Sequence, residues 1–336
     1  MRFAGGVLRL LATVAFTFFG LLLVTFLIGR VVPIDPVLSA VGDRAPAEVY
    51  QRVRTELGLD QPLYVQFYRY AMAVLSGDLG RSVLTSNPVL TDIKRFFPAT
   101  FELATLATLL GVALGIPLGV IAAARQNRAI DQAIRVLGLL GYSVPVFWLG
   151  LMGLVLFYVH LDWVAGPGRI DVAYEDLVET RTGVILLDSA LAGNWEVFRN
   201  AFAHVILPAS ILGYFSLAYV SRMTRSLMIE QLRQEYVVTA RVKGLSEARV
   251  IWRHALGNVM VPLITVVALS YANLLEGSVL TETVFAWPGI GQYITNSLLS
   301  VDMNAVLGGT IVVGAVFVGL NLFSDLLYRV FDPRVR

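Results

Sequence analysis

The 336-residue chain contains no cysteine, so neither a disulfide framework nor a thiolate metal site is open to it. Charge is scarce as well: Asp, Glu, Lys and Arg make up 15% of the residues against 57% hydrophobic. A soluble domain carries about a quarter charged residues, so this balance points to an integral membrane protein. Lysine occurs only at Lys94 and Lys243, and no G-x-x-x-x-G-K-[ST] phosphate loop is present. The three histidines, His160, His204 and His254, have no ligand-like spacing and there is no H-E-x-x-H, so no metal site is expected. A G-x-S-x-G elbow is also missing, which weighs against a membrane hydrolase, and no catalytic residue is assigned. The formal charge of +2 is too small to suggest a nucleic-acid partner.

What the chain has instead is long apolar runs. Six spans can be drawn: 10–29, then about 101–124, 134–159, 204–221, 259–281 and 305–328. Residues 10–29 are uncharged throughout, enough to cross ~30 Å of hydrocarbon at ~1.5 Å per residue. That run is longer than a signal-peptide core, and Val31-Val32-Pro33 offers no small-residue cleavage site, so 1–32 is expected to be a retained anchor helix. Residues 33–98 hold seven basic and seven acidic residues between turn signals, with short helical patterns near 46–57 and 62–75. They are expected to form a small outward-facing cap, too short to bury the core of an enzyme domain. Residues 99–336 hold the remaining five spans.

Pro117, Pro145, Pro208 and Pro262 fall inside spans, where neighbouring helices can satisfy the carbonyls that proline frees. Gly111, Gly115 and Gly119 recur every fourth residue. Two readings stand: a stripe that lets another helix approach closely, or the ordinary glycine enrichment of membrane helices.

Basic residues near the spans set the orientation. Arg125, Arg128 and Arg135 face a single Asp131 between spans two and three, and seven Lys/Arg from Arg222 to Arg253 lie between four and five. Residues 282–304 carry no Lys or Arg, and 160–203 hold three arginines against seven acids. Both termini and the 222–258 loop are therefore expected in the cytoplasm.

Within that loop Leu227, Met228, Ile229, Leu232, Tyr236, Val237 and Ala240 recur at helical spacing. Gly244 interrupts the pattern, and Ser246 is a candidate N-cap for a second helix with Glu247 in its first turn. Two amphipathic helices hinged at a glycine suit a force-transmitting piece; by periodicity alone they equally suit a passive hairpin on acidic lipid headgroups. Elsewhere, Glu276 places a costly carboxylate about five residues, or ~7.5 Å, from the outer end of span five, with Asn273 one turn before it. It is a candidate contact for a cationic group in a polar cavity, or an interface residue reaching headgroups or a second protein. Trp287-Pro288-Gly289-Ile290-Gly291 is expected to be a tight turn with an interfacial tryptophan.

The loop resembles the cytoplasmic coupling (EAA) loop of permease subunits from ATP-binding-cassette importers. The version it is most similar to is that of the dipeptide, oligopeptide and nickel family, and within it the B-type dipeptide permease subunit. The matching residues are Glu235, Tyr236, Thr239, Ala240, Arg241, Lys243, Gly244, Leu245, Val250, His254, Leu256, Asn258 and Pro262. Val238 and Gly257 depart from the broader importer motif, which has glutamate and proline there, so a salt bridge drawn from that glutamate does not carry over. The resemblance continues in Gly77-Asp78-Leu79-Gly80 with Ser82, in Ser143 through Trp148, and in Arg222 through Ser226. It extends to Leu280 through Gly291, to Asn321, Asp325 and Tyr328, and to the Asp332-Pro333-Arg334 tail.

The resemblance implies an all-α membrane protein of the type I importer permease fold, with six transmembrane helices, resident in the bacterial inner membrane. It implies a second, similar permease subunit, two ATPase subunits seated under the coupling loops, and a soluble substrate-binding protein. ATP and magnesium would be bound by the ATPase subunits, with no cofactor in this chain. Dipeptides or short peptides are the expected substrates, with nickel or glutathione as alternatives; a self-sufficient secondary transporter is the rival from another class. The ATPase-coupling residues would be Glu235, Tyr236, Thr239, Ala240, Arg241, Lys243, Gly244, Leu245 and His254. Tyr142 and Ser143 join Asn273 and Glu276 as candidates for the translocation path.

Overall fold

A computed structural model of the protein describes residues 2–31, 37–38, 42, 45–56 and 58–331. Pro33 and the Asp332-Pro333-Arg334 tail lie outside the described residues. Those described form helices joined by turns, with one isolated bridge between Arg81 and Pro88. By their contacts they fall into two units, Met1–Phe97 with Gln292–Val318, and Pro98–Gly291 with Gly319–Arg336.

In the first unit α1 (Arg2–Val31) pairs with α3 (Leu63–Leu75), while the polar α2 (Ala47–Glu56) precedes α3 in the chain. The Phe67 ring meets those of Phe19 and Phe26 edge-on at 5.6 and 5.4 Å, and the Tyr70 hydroxyl donates to Thr25 Oγ1 at 2.9 Å. The start of α4 (Val89–Ala124) is fastened to α12 (Ile290–Leu299), and the turn before α4 to the start of α13 (Met303–Phe331), by two buried carboxylates. Asp302 accepts from Ser82 Oγ at 2.5 Å and from Leu84 N at 3.1 Å. Asp92 accepts from Thr85 Oγ1 at 2.5 Å and Asn87 Nδ2 at 3.1 Å, and the Tyr293 hydroxyl reaches it at 3.3 Å. Buried carboxylates are tolerable when donors answer them this way.

The second unit is built round α8 (Trp195–Leu232), whose first turn is capped by Asn194 accepting from Val197 N at 3.2 Å. Against it pack α5 (Ala129–Ser143), α6 (Val146–His160), α7 (Ile185–Leu191) and α10 (Glu247–Gly277). The glycine stripe on α4 finds its purpose here. A Cβ on Gly111 would stand 2.4 Å from Ser216 Cβ, one on Gly115 3.1 Å from Leu217 O, and one on Gly119 2.6 Å from Ser221 O. The stripe is the seam with α8, and of the two readings the close-approach one holds. At its far end Val120, Ala123, Met228, Val259 and Leu263 form a packed cluster. In lipid such a cluster is held by van der Waals fit rather than by exclusion of water.

Among the described residues five helices are long and apolar enough to cross a membrane, six when one bent pair is taken as a single span. That pair corrects the expected straight span 134–159: α5 and α6 meet at 98°. Pro145 cannot donate and drives its predecessor out of helical geometry, and Val144 sits at φ −100° and ψ 127°. Pro117, Pro208 and Pro262 stay inside continuous helices. The expected helical pattern 227–240 is also interrupted: α8 stops at Leu232, and α9 (Glu235–Val242) begins after Arg233 and Gln234.

Candidate coupling elbow and pathway residues

The segment after α8 folds back on itself through a fastened turn. Lys243 caps α9, and Gly244 follows at φ +78°, a left-handed conformation that glycine adopts without a Cβ penalty. Gly244 N donates to Arg241 O at 2.9 Å and Leu245 N to Ala240 O at 3.2 Å. These two bonds define a Schellman cap. No atom lies within 4 Å of where a Gly244 Cβ would be, so the glycine is required by backbone conformation and not by crowding.

Two further contacts hold the elbow. Arg241 Nε lies 2.8 Å from Glu247 Oε1 and Nη2 3.3 Å from Oε2, tying α9 to the first turn of α10. Behind the pair, Val237, Ala240 and Val250 are buried together with Tyr236 and Leu245 packed against them. Both partners of the ion pair are exposed, so the apolar knot and the cap contribute more than the charges do. Ser246 takes the N-cap position expected of it but forms no side-chain cap bond. Gly244 is thus the locked corner of two helices, whereas its sequence context suggested a free hinge.

The remaining coupling candidates spread over the same piece. The Tyr236 hydroxyl donates to Gln231 Oε1 at 3.0 Å, and Thr239 Oγ1 to Glu235 O at 3.0 Å. Glu235, Thr239, Arg241 and Lys243 are exposed, and so are Val238 and Val242, the latter at 82%. His254 sits apart on a π-helical turn, Val250–Ala255, with its carbonyl accepting from Asn258 Nδ2 at 3.0 Å.

The pathway candidates divide into two places. Tyr142 and Ser143 end α5 at the bend; the Arg222 guanidinium lies 5.1 Å from the Tyr142 ring, and Ser143 Oγ donates to Leu139 O at 2.9 Å. Asn273 and Glu276 are exposed on one face near the end of α10. Glu276 is not several residues inside a span as expected, because the helix ends at Gly277, one residue after it.

Two buried glutamates were passed over by sequence reasoning. Glu282, in α11 (Val279–Val284), is 0% exposed and accepts from Thr100 Oγ1 at 2.7 Å and Ser278 Oγ at 2.9 Å. Gly289 and Gly291 crowd it: a Cβ on Gly289 would stand 2.4 Å from its Cδ. Trp287 is likewise buried and not interfacial, donating through Nε1 to Ala99 O at 2.9 Å. Glu102 takes both Nε and Nη2 of Arg169 on Oε2, at 2.9 and 2.6 Å. The partners that bury them, Thr100 for Glu282 and Arg169 for Glu102, are far off in the chain, so no local pattern marks either one.

Residues 115–336 match the family model described as the binding-protein-dependent transport system inner membrane component, and residues 2–104 match its N-terminal counterpart. The chain is 47% identical over 94% of its length to the probable D,D-dipeptide transport system permease protein DdpB of Escherichia coli K12, covering 93% of that protein. It is 42% identical to the dipeptide transport system permease protein DppB of the same strain, covering 98% of both chains. Against the di/tripeptide transport system permease protein DppB of Pseudomonas aeruginosa UCBPP-PA14 it is 41% identical over 95% of both. Among solved structures it resembles an inward-facing form of the MetNI methionine ABC transporter, with a TM-score of 0.53 at 16% identity over 73% of this chain and 99% of that one. That likeness establishes the type I importer fold. Such permeases form the membrane path, ATP hydrolysis falling to separate ATPase subunits and substrate delivery to a binding protein. The chain therefore belongs to the binding-protein-dependent inner membrane component family, and is the multi-pass permease subunit of an ATP-binding-cassette importer.

Proposed function

We propose that this permease imports dipeptides or short peptides across the bacterial cytoplasmic membrane. The observation that carries the reading is the near full-length identity of 41–47% to permeases named for dipeptide or di/tripeptide transport. In this reading the chain pairs with a second, similar permease subunit, and two ATPase subunits bind the ATP and magnesium that this chain does not hold. Both termini face the cytoplasm, residues 33–98 form the outward cap beyond the anchor 1–32, and 99–336 form the transmembrane domain with its coupling loop at 222–258.

The elbow passes the ATPase motion to the helices. Val238, Val242 and Lys243 offer an exposed apolar and basic face, and Arg241 fastens that face to α10. Glu235, Tyr236, Thr239, Ala240, Leu245 and His254 shape the same piece. Because the cap, the ion pair and the apolar knot oppose bending at Gly244, a push on α9 is delivered to α10 as one body. Tyr142, Ser143, Asn273 and Glu276 line the path.

Co-purification tests the reading. The chain should bring down a sister permease and two ATPases, and a binding protein loaded with peptide should raise ATP hydrolysis. Uptake by this chain alone would sink it. Titrating the binding protein with L,L- and D,D-dipeptides, glutathione and nickel sorts the substrates; saturation by nickel and not by peptides would overturn the peptide assignment.

A further inference from the structure

We propose that the recess between α5 and α8 holds the anionic, phosphate-bearing headgroup of a membrane phospholipid. The recess measures about 670 Å³ and is lined by Arg135, Arg222 and Arg225 with no acidic residue among its lining. Arg225 is answered by the buried Asp131, whose carboxylate it grips with two bonds. Arg222 is held differently, over the rings of Tyr142 and Tyr219 at 5.1 and 5.9 Å. Neither Arg222 nor Arg135 forms an ion pair among the described residues, although Arg135, one turn after Asp131, stands within reach of its charge.

Two guanidiniums thus stand ready in a pocket whose walls are otherwise mostly apolar. Arginine presents a planar fork of donors that fits phosphate oxygens in pairs, and the tyrosine rings fix the fork of Arg222 in place before any ligand arrives. Val136 and Leu139, more than half exposed, continue the wall along the outer face of α5. An anion carried on an apolar body satisfies both parts of this lining, and a bare phosphate only one. Tyr142 is also a path candidate, but a peptide would have only its carboxylate answered here, its free ammonium meeting three arginines and no carboxylate among the lining residues. Basic pockets between membrane helices are where anionic headgroups lodge.

Native mass spectrometry of the intact transporter, purified with its partner subunits from membranes containing phosphatidylglycerol, tests the assignment. The wild type should retain phosphatidylglycerol in preference to phosphatidylethanolamine. Arg222→Gln and Arg135→Gln should each lower that retention about fivefold, the effect of roughly one surface arginine on headgroup attraction. Arg222→Lys should restore only part of it, because an ammonium keeps the charge but has neither the planar fork nor the ring stacking, and millimolar inorganic phosphate should leave it unchanged. Three results would overturn the proposal: equal retention by wild type and the double glutamine variant, displacement by inorganic phosphate alone, or capture of a neighbouring protein instead of lipid by a photo-crosslinker at Val136.

Discussion

Arg225 grips Asp131 with two parallel bonds, Nε to Oδ1 at 2.6 Å and Nη2 to Oδ2 at 2.8 Å, while Asn127 N adds a third donor at 2.8 Å. Asp131 is 0% exposed and sits in the first turn of α5, so the pair clamps the start of that helix to α8. Cutting one side leaves a buried carboxylate with a single donor. Arg225→Leu should cost roughly 3 kcal/mol, and Asp131→Asn combined with it should recover most of the loss. Thermal unfolding of the purified subunit measures both; wild-type melting of Arg225→Leu would mean that the clamp contributes nothing, and equal losses in the single and double variants that the stranded charge is not what costs.

The seam between α4 and α8 makes a second prediction. Gly119 faces Ser221 O at 2.6 Å from its notional Cβ, and backbone cannot be pushed aside as a side chain can. Gly119→Val should destabilise the subunit by about 1–3 kcal/mol or more. Gly138, with nothing within 4 Å of its notional Cβ, is the control: Gly138→Ala should melt like the wild type. If Gly119→Val melts with the control, the seam is looser than its distances state.

Acid should act on the extramembrane turn before α7. Asp188 is buried, which works against its charge, yet the Thr182 hydroxyl at 2.7 Å and the N–H groups of Arg181, Thr182 and Gly183 at 3.0–3.2 Å hold its carboxyl below the usual range. A carboxylate with a depressed folded value contributes stability that is complete above the unfolded value, ~3.9, and fades as pH falls through the folded one. Asp188→Asn should therefore lower melting at neutral pH and flatten its decline below about pH 4. A decline as steep as that of the wild type would show that other groups dominate the acid limb.

Much of this molecule is legible in its sequence, because the bilayer imposes a simple code of length and apolarity. The count of spans and the position of the elbow at Gly244 follow from local spacing, and the glycine stripe is visible in it, but what the stripe faces is decided only by the fold. The 98° bend between α5 and α6 does not: Pro145 breaks its helix while Pro117, Pro208 and Pro262 stay inside theirs, and all four look alike in local sequence. Glu276 drew notice because it interrupts an apolar run, yet it ends exposed, whereas Glu282 looked like an ordinary loop acid and is the buried one. Burial of a carboxylate is decided by partners distant in the chain. Thr100 is such a partner, and no local pattern announces it.

That contrast is itself testable. Glu282→Gln should lower stability by about 1–3 kcal/mol: the Thr100 and Ser278 hydroxyls both donate to Oε1, and the amide N–H₂ that replaces the other oxygen would be buried and in need of acceptors. Glu276→Gln should leave melting unchanged and lower peptide uptake if the carboxylate meets the amino group of the substrate. Undiminished uptake would remove Glu276 from the path.

The elbow at Gly244 carries the central claim. Proline there cannot take φ +78° and lacks the N–H that reaches Arg241 O, and Arg241→Glu turns the pair with Glu247 into a repulsion. The direct measurement reconstitutes each variant with its ATPases, sister permease and loaded binding protein, and follows ATP hydrolysis and peptide uptake together. Peptide uptake per ATP hydrolysed should fall sharply in both variants while assembly into the membrane is retained. Wild-type stimulation of hydrolysis with wild-type uptake in both variants would contradict the account.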